Sequence, residues 1–254
     1  MHPVLVAIGP FQIRFYGLMY VVAIVVGYFL LKGEVRRKGM GLTPDDVMTL
    51  IFWVVVGGIV GARIYYVAFT WEYYWPDWKE ILAIWHGGLA IHGGIVGGLI
   101  GGFIYSRRKR ASFLALADAV APCLILGQAF GRFGNFMNGD AHGLPTRMPW
   151  GIVFPPGSIA GDQFPHMPLH PTMFYEMVID LAIFFFLWKI RKRPAKDGFI
   201  ISLYLILYSI GRFIVSYFRA DSLMIGGVRA AHVISIVIIA IVTPLLIKER
   251  LWSR

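Results

Sequence analysis

Phe113-LALADAVAPCLILGQA-Phe130 is an uninterrupted apolar run, and it passes directly into Gly131-RFGNFMNGDAH-Gly143, which holds one arginine, two asparagines, one acid and four glycines. A run of that length with a single early acid suits a helix that crosses a bilayer, whose core takes about 20 helical residues. An arginine at the end of such a run is costly unless it is paired or hydrated, and glycines let backbone N–H groups approach an anion closely. The segment therefore reads as an anion-holding element at a membrane boundary. The plainer reading is a tightly packed polar re-entrant loop.

The rest of the chain repeats the pattern. Of 254 residues, 57% are hydrophobic and 15% charged, with a mean hydropathy of +0.67, which excludes a soluble domain of this length. Apolar runs lie near Tyr16–Leu31, Val47–Val67, Gly87–Tyr105, Phe113–Phe130, Pro171–Lys189, Phe199–Phe218 and Val233–Ile247. The fold class expected is an all-α polytopic membrane protein with seven transmembrane helices, forming one integral membrane domain over residues 1–254. No basic leader with a short apolar core and cleavage site opens the chain, so the first run is expected to remain as an anchor.

The formal charge of +10 raises nucleic acid as a partner, but the basic residues sit between apolar runs. Lys32, Arg36, Arg37 and Lys38 follow the first run, Arg107 to Arg110 the third, Lys189, Arg191, Lys192, Arg193 and Lys196 the fifth, and Lys248, Arg250 and Arg254 the last. Two thirds of all Lys and Arg thus fall on alternate connections, and the positive-inside rule makes that side cytoplasmic. The N-terminus is expected outside and the C-terminus in the cytoplasm, with a small external cap within residues 133–170. The segment Thr70–Trp85, TWEYYWPDWKEILAIW, suits the outer headgroup layer or, less well, the groove of a protein partner. The single cysteine, Cys123, excludes an intrachain disulfide framework and fits a small packing residue.

Arg14, Arg63, Lys79, Arg132, Arg147, Arg212, Arg219 and Arg229 are external or inside runs in this topology and need another explanation. Counted along helices from the cytoplasmic boundary, His92, Arg132, Arg212 and Arg63 all fall at roughly 21–28 Å, in the outer half of the membrane. Tyr16 and Glu176 belong to the same layer. Glu176, Asp140 and Asp180 are the available partners for the arginines, and ion pairing is expected for Arg63. His92 precedes two glycine rows, Gly93/Gly97/Gly101 and Gly94/Gly98/Gly102, which permit close helix contact. Lone histidines on apolar helices are usually packing residues, yet here the glycines would hold an imidazole rigidly at an external cleft, where it suits proton transfer. Read this way, the residues fit an interfacial lipid enzyme. A carrier or channel with an external anion site is the alternative, disfavoured by the absence of a visible inverted repeat and by a midplane holding little besides Asp180.

Five blocks occur in an order that resembles the bacterial prolipoprotein diacylglyceryl transferases along nearly the whole chain: RFYGLMY at Arg14–Tyr20, GGLAIHGG at Gly87–Gly94, GRFGNFMNGDAHG at Gly131–Gly143, HPTMFYE at His170–Glu176 and LYSIGRF at Leu207–Phe213. The resemblance implies a reaction on the outer face of the bacterial cytoplasmic (inner) membrane. There the diacylglyceryl group of phosphatidylglycerol passes to the lipobox cysteine of a preprolipoprotein signal peptide, and glycerol 1-phosphate leaves. Membrane lipids and these two substrates are the implied partners, with no cofactor and no metal. It maps catalytic roles onto His92, Arg132 and Arg212, and substrate-binding roles onto Tyr16, Asn135, Asp140, Gly143 and Tyr208. His92 is then a base or proton relay, with stabilisation of the thiolate by the arginine field as the rival account. Two positions depart from the pattern: Asp140 stands where relatives of this kind carry Glu, and Ser216 where some of them do.

Overall fold

Seven long helices occupy the seven apolar runs in the computed structural model, which describes residues 3–9 and 11–253. They are α1 (Phe15–Arg37), α2 (Pro44–Phe69), α4 (Ile91–Lys109), α5 (Phe113–Asn138), α7 (Thr172–Ile190), α8 (Phe199–Ser216) and α9 (Ala230–Lys248). Short helices α3 (Trp71–Tyr74) and α6 (Ile159–Gln163) lie in connections, and the strands form two-stranded antiparallel pairs: β1 (Val4–Ile8) with β2 (Phe11–Arg14), β3 (Ile152–Val153) with β4 (Pro168–Leu169), and β5 (Met224–Ile225) with β6 (Val228–Arg229). By length and composition, α1, α2, α5, α8 and α9 are long and apolar enough to cross a membrane. Helix α4 is diluted by its glycine pairs and basic tail, and α7 carries Glu176, Asp180 and Lys189. The outward faces of the long helices are apolar, with Phe29, Phe52, Ile64, Val178 and Phe185 all exposed.

Two boundaries differ from the sequence expectation in ways that matter for the site. Helix α5 does not stop at Phe130 but continues through Gly131–Asn138, so most of the glycine-rich segment is helical and the connection begins at Gly139. Helix α4 begins only at Ile91, because Gly87 and Gly88 take positive φ of 92° and 75° and cannot extend the helix backwards. The basic clusters fall in and just after the last turns of α1, α4, α7 and α9, where cations also complement the helix dipole. Arg254, counted in the last cluster, lies outside the described residues.

By its contacts the chain divides into two compact units, residues 1–30 with 117–254, and residues 31–116. In the smaller unit, α2 starts with a capping box in which the Thr43 side chain receives the Asp46 N–H and the Asp46 carboxylate receives the Thr43 N–H. The Tyr105 hydroxyl donates to the Asp46 carbonyl at 2.8 Å and Lys109 pairs with its carboxylate at 2.6 Å, tying the end of α4 to the start of α2. Between these helices only one glycine row forms the seam. A Cβ on Gly93, Gly97 or Gly101 would collide with the carbonyls of Gly61, Gly57 and Trp53 respectively, whereas Gly94, Gly98 and Gly102 have ordinary clearance.

In the larger unit, Ala121 and Ile125 of α5, Ile183, Phe184, Leu187 and Ile190 of α7, and Ile200 and Tyr204 of α8 form the main core. Asp118 is buried, and its carboxylate accepts the N–H groups of Gly198 at 3.0 Å and Ile201 at 2.9 Å, capping the start of α8. A cap between α5 and α7 closes over Phe154, Ala160, Leu169 and Met173. Its backbone is stitched by Gly143 N–H to His170 O (3.0 Å), Leu144 N–H to Phe218 O (2.8 Å) and Ala220 N–H to His142 O (3.2 Å). The last two of these bonds draw the chain after α8 against the cap and bring Arg219 inward.

Candidate active site

The larger unit gathers three arginines on one carboxylate. Arg132 projects from α5 six residues before its end, Glu176 lies one turn into α7, and Arg212 lies one turn before the end of α8. The Nε of Arg132 is 2.6 Å from Oε2 of Glu176, while Arg212 and Arg219 both donate to Oε1, Arg219 at 3.0 Å. Arg219 also forms a two-point bond to Asp221, Nε to Oδ1 at 2.8 Å and Nη2 to Oδ2 at 2.6 Å. Three guanidiniums thus meet two carboxylates in direct contact, leaving one positive charge in excess.

Burial divides the cluster by task. The side chains of Glu176 and Arg219 are only 5% and 8% accessible, whereas Arg132 and Arg212 keep 18% and 26%. Glu176 and Arg219 therefore form a rigid support, and Arg132 and Arg212 present the reachable cationic surface. Burial works against the charge on Arg219. Its hydrogen bonds to Asp221 and the nearby Glu176 outweigh that penalty and hold its pKa above the ordinary arginine value. With Arg219 already forked onto Asp221, the one Glu176 carboxylate cannot satisfy the forks of both Arg132 and Arg212, so the arrangement is suited to an anion with several oxygens, such as a phosphate.

The other sequence-derived candidates surround this cluster. Asn135, on the same face of α5 as Arg132, accepts from Arg132 Nη1 at 3.3 Å and donates to Asp140 Oδ1 at 2.7 Å, while Asn138 donates to Asp140 Oδ2 at 2.7 Å. The shorter Asp140 carboxylate is therefore held by two side-chain amides. Tyr16 packs against Gly134, where an added Cβ would lie 2.8 Å from its ring, and its hydroxyl accepts from Tyr20 at 3.2 Å. Tyr208, one turn before Arg212, stacks on Tyr204, whose hydroxyl donates to Gln128 at 3.3 Å. Gly143 is buried and forms a backbone bridge with Arg219, and a Cβ there would sit 2.5 Å from both Cβ and O of His170. At the other departure, Ser216 is buried and Arg229 donates to its backbone carbonyl.

His92 belongs to the smaller unit. It is exposed in the first turn of α4, with its ring centroid 6.0 Å from that of Tyr65. Arg63, expected to be ion-paired, is instead buried among backbone carbonyls, with no carboxylate against it among the described residues. The residue missed as a site member is Arg219, recognised in the sequence only as an unexplained cation. Its spacing of two helical turns from Arg212, with Asp221 close behind, is the signal that would have found it.

Comparison with known proteins gives a consistent result. The profile of a family described as prolipoprotein diacylglyceryl transferase matches residues 3–248. Proteins named phosphatidylglycerol--prolipoprotein diacylglyceryl transferase are similar over nearly the whole chain. That of Fusobacterium nucleatum is 41% identical over 95% of this chain and 96% of its own length, that of Nostoc sp. 43% over 94% and 86%, and that of Fervidobacterium nodosum 46% over 92% and 80%.

Proposed function

The chain belongs to the prolipoprotein diacylglyceryl transferase family, and on that premise we propose that it transfers the sn-1,2-diacylglyceryl group of phosphatidylglycerol to the lipobox cysteine of a preprolipoprotein. The observation that carries the reading at the level of residues is the convergence of Arg132, Arg212 and Arg219 on Glu176. The substrate thiolate attacks the glycerol carbon, the C–S bond forms, and the bond from that carbon to phosphate oxygen breaks. Glycerol 1-phosphate leaves with the electron pair. Negative charge grows on the departing phosphate, and preorganised guanidiniums in a water-poor site lower that barrier. Arg132 and Arg212 bind the phosphate. Asn135 and Asp140 orient Arg132, while Tyr16 and Tyr208 bond glycerol hydroxyls or phosphate. Gly143 contributes by seating Arg219. His92 accepts the thiol proton, because a cysteine near its ordinary pKa of about 8.5 must ionise to attack well.

The whole chain acts as one membrane domain of seven spans, N-terminus outside, with the reaction facing the outer leaflet of the bacterial cytoplasmic membrane. Supporting this, α1, α4, α7 and α9 end in basic turns, and Arg132, Glu176 and Arg212 lie near the helix ends opposite to the basic end of α7.

The decisive experiment gives purified protein phosphatidylglycerol with a labelled diacylglyceryl group and a lipobox peptide, with a Cys→Ala peptide as control. Cysteine-dependent thioether product with release of glycerol 1-phosphate is the expected result. Folded, lipid-loaded protein that yields neither would reject it.

A further inference from the structure

Arg63 has its entire donor set engaged by one short stretch of chain. A guanidinium has five N–H groups. Here Nε donates to Ile81 O at 2.8 Å, Nη1 to Gly87 O at 2.6 Å and Gly88 O at 2.9 Å, and Nη2 to Glu80 O and, at 3.4 Å, to Ala83 O. Its Cζ lies 5.1 Å from the centre of the Tyr74 ring. A saturated, buried guanidinium is not an anion site. It is a clasp on residues 80–88, a stretch that takes in the end of one 3₁₀ turn, Trp78–Leu82, and the whole of a second, Ile84–His86.

The stretch held by this clasp leads straight into the first turn of α4. Gly88 lies so close that a Cβ would collide with Arg63 Nη1 and approach Tyr66 to 2.9 Å. Two residues on, Ala90 N–H donates to Ala62 O at 3.1 Å, and Gly93 packs on the Gly61 carbonyl. His92 therefore sits between backbone anchors on α2, Ala62 and Arg63 before it and Gly61 after it. Its own ring is exposed, so the position of the imidazole is set by those anchors and not by burial of the side chain.

We propose that Arg63 is a positioning residue for the transfer reaction, clasping the carbonyls of residues 80–88 so that the first turn of α4 holds the His92 imidazole in place. The inference rests on the reading of His92 as proton acceptor. A misplacement of about 1 Å costs on the order of 10²-fold in rate even when it arises away from the reacting atoms. Lysine at this position keeps the charge but has three donors from a single nitrogen and cannot span the same carbonyls.

The test uses full-length protein in phosphatidylglycerol-containing nanodiscs and compares wild type, Arg63→Lys, Gly88→Ala, His92→Gln and the Arg63→Lys/His92→Gln double variant. The imidazole NMR signal of His92, assigned by its loss in His92→Gln, is followed alongside kcat and the KM for phosphatidylglycerol. Arg63→Lys and Gly88→Ala are expected to shift the His92 signal and lower kcat on the order of 10²-fold with KM unchanged. The double variant should be no slower than His92→Gln, because the two residues act as one unit. An unmoved His92 signal in folded Arg63→Lys overturns the proposal, as does a further full loss in the double variant. Should Arg63→Lys not fold, an unmoved signal in Gly88→Ala overturns it equally. Wild-type turnover and an unchanged pH profile in His92→Gln would reject the proton-acceptor reading alone, since the NMR signal still reports whether Arg63 holds the ring.

Discussion

The Nε of Arg132 lies 2.6 Å from Oε2 of Glu176, joining the end of α5 to the start of α7 through a carboxylate that is almost fully buried. Because Arg212 and Arg219 take the other oxygen, Glu176 fixes three cations while neutralising only one. With Asp221 neutralising a second, the one charge in excess makes the site receptive to an anion, and the burial keeps its geometry rigid.

Replacing Glu176 by Gln should therefore leave buried guanidiniums uncompensated. Removing one partner of a buried ion pair costs about 3–5 kcal/mol. Thermal denaturation in detergent is expected to show a lowered Tm, with glycerol 1-phosphate raising the Tm of the variant more than that of wild type. An equal Tm for the two proteins would show that Glu176 is not the keystone of the cluster.

Arg132→Lys retains the charge but loses the fork that reaches Glu176 through Nε and Asn135 through Nη1. Loss of a preorganised donor to a developing oxyanion lowers turnover by about 10²–10³-fold. Turnover of the purified variant with saturating phosphatidylglycerol checks this, and wild-type turnover would mean that a point charge suffices.

Gly97→Ala and Gly98→Ala separate the seam of α2 and α4 from the neighbouring glycine row. A methyl at Gly97 collides with the Gly57 carbonyl, whereas one at Gly98 stands 3.5 Å from Val54 O. Overpacking of this kind costs about 1–3 kcal/mol. Gly97→Ala is expected to unfold at lower temperature or denaturant concentration, with Gly98→Ala near wild type. The reverse order would contradict the assigned seam.

Gly143→Ala should act on the arginine cluster from a distance. The added methyl presses on His170 and Phe218 and displaces the backbone that bridges to Arg219. We expect a destabilisation of about 1–3 kcal/mol together with a raised KM for phosphatidylglycerol. Loss of stability with an unaltered KM would confine Gly143 to the cap.

The glycine-rich segment shows how sequence reading can find a site while misjudging its form. Arg132, Asn135 and Asp140 stand out because polar groups at the end of an apolar run are conspicuous. The apolar run ends at Phe130 and glycine is a poor helix former, yet α5 continues through residues 131–138, with Tyr16 packed against Gly134. Arg63 was legible as a buried cation but not as a carbonyl clasp, since its partners lie 17–25 residues ahead in an irregular segment.

By itself, the sequence determined the membrane class, the seven apolar helices, the alternation of basic connections and the resemblance to a family. Each is written in short-range composition or in ordered local motifs, so no knowledge of packing is needed to read it. Tertiary structure alone decided that Arg132, Arg212 and Arg219 share Glu176, that Gly93, Gly97 and Gly101 form the seam, and that Arg63 holds the approach to His92. Those relations join residues on different helices. Their energy depends on which faces meet and how close backbones come, which one-dimensional periodicity does not encode.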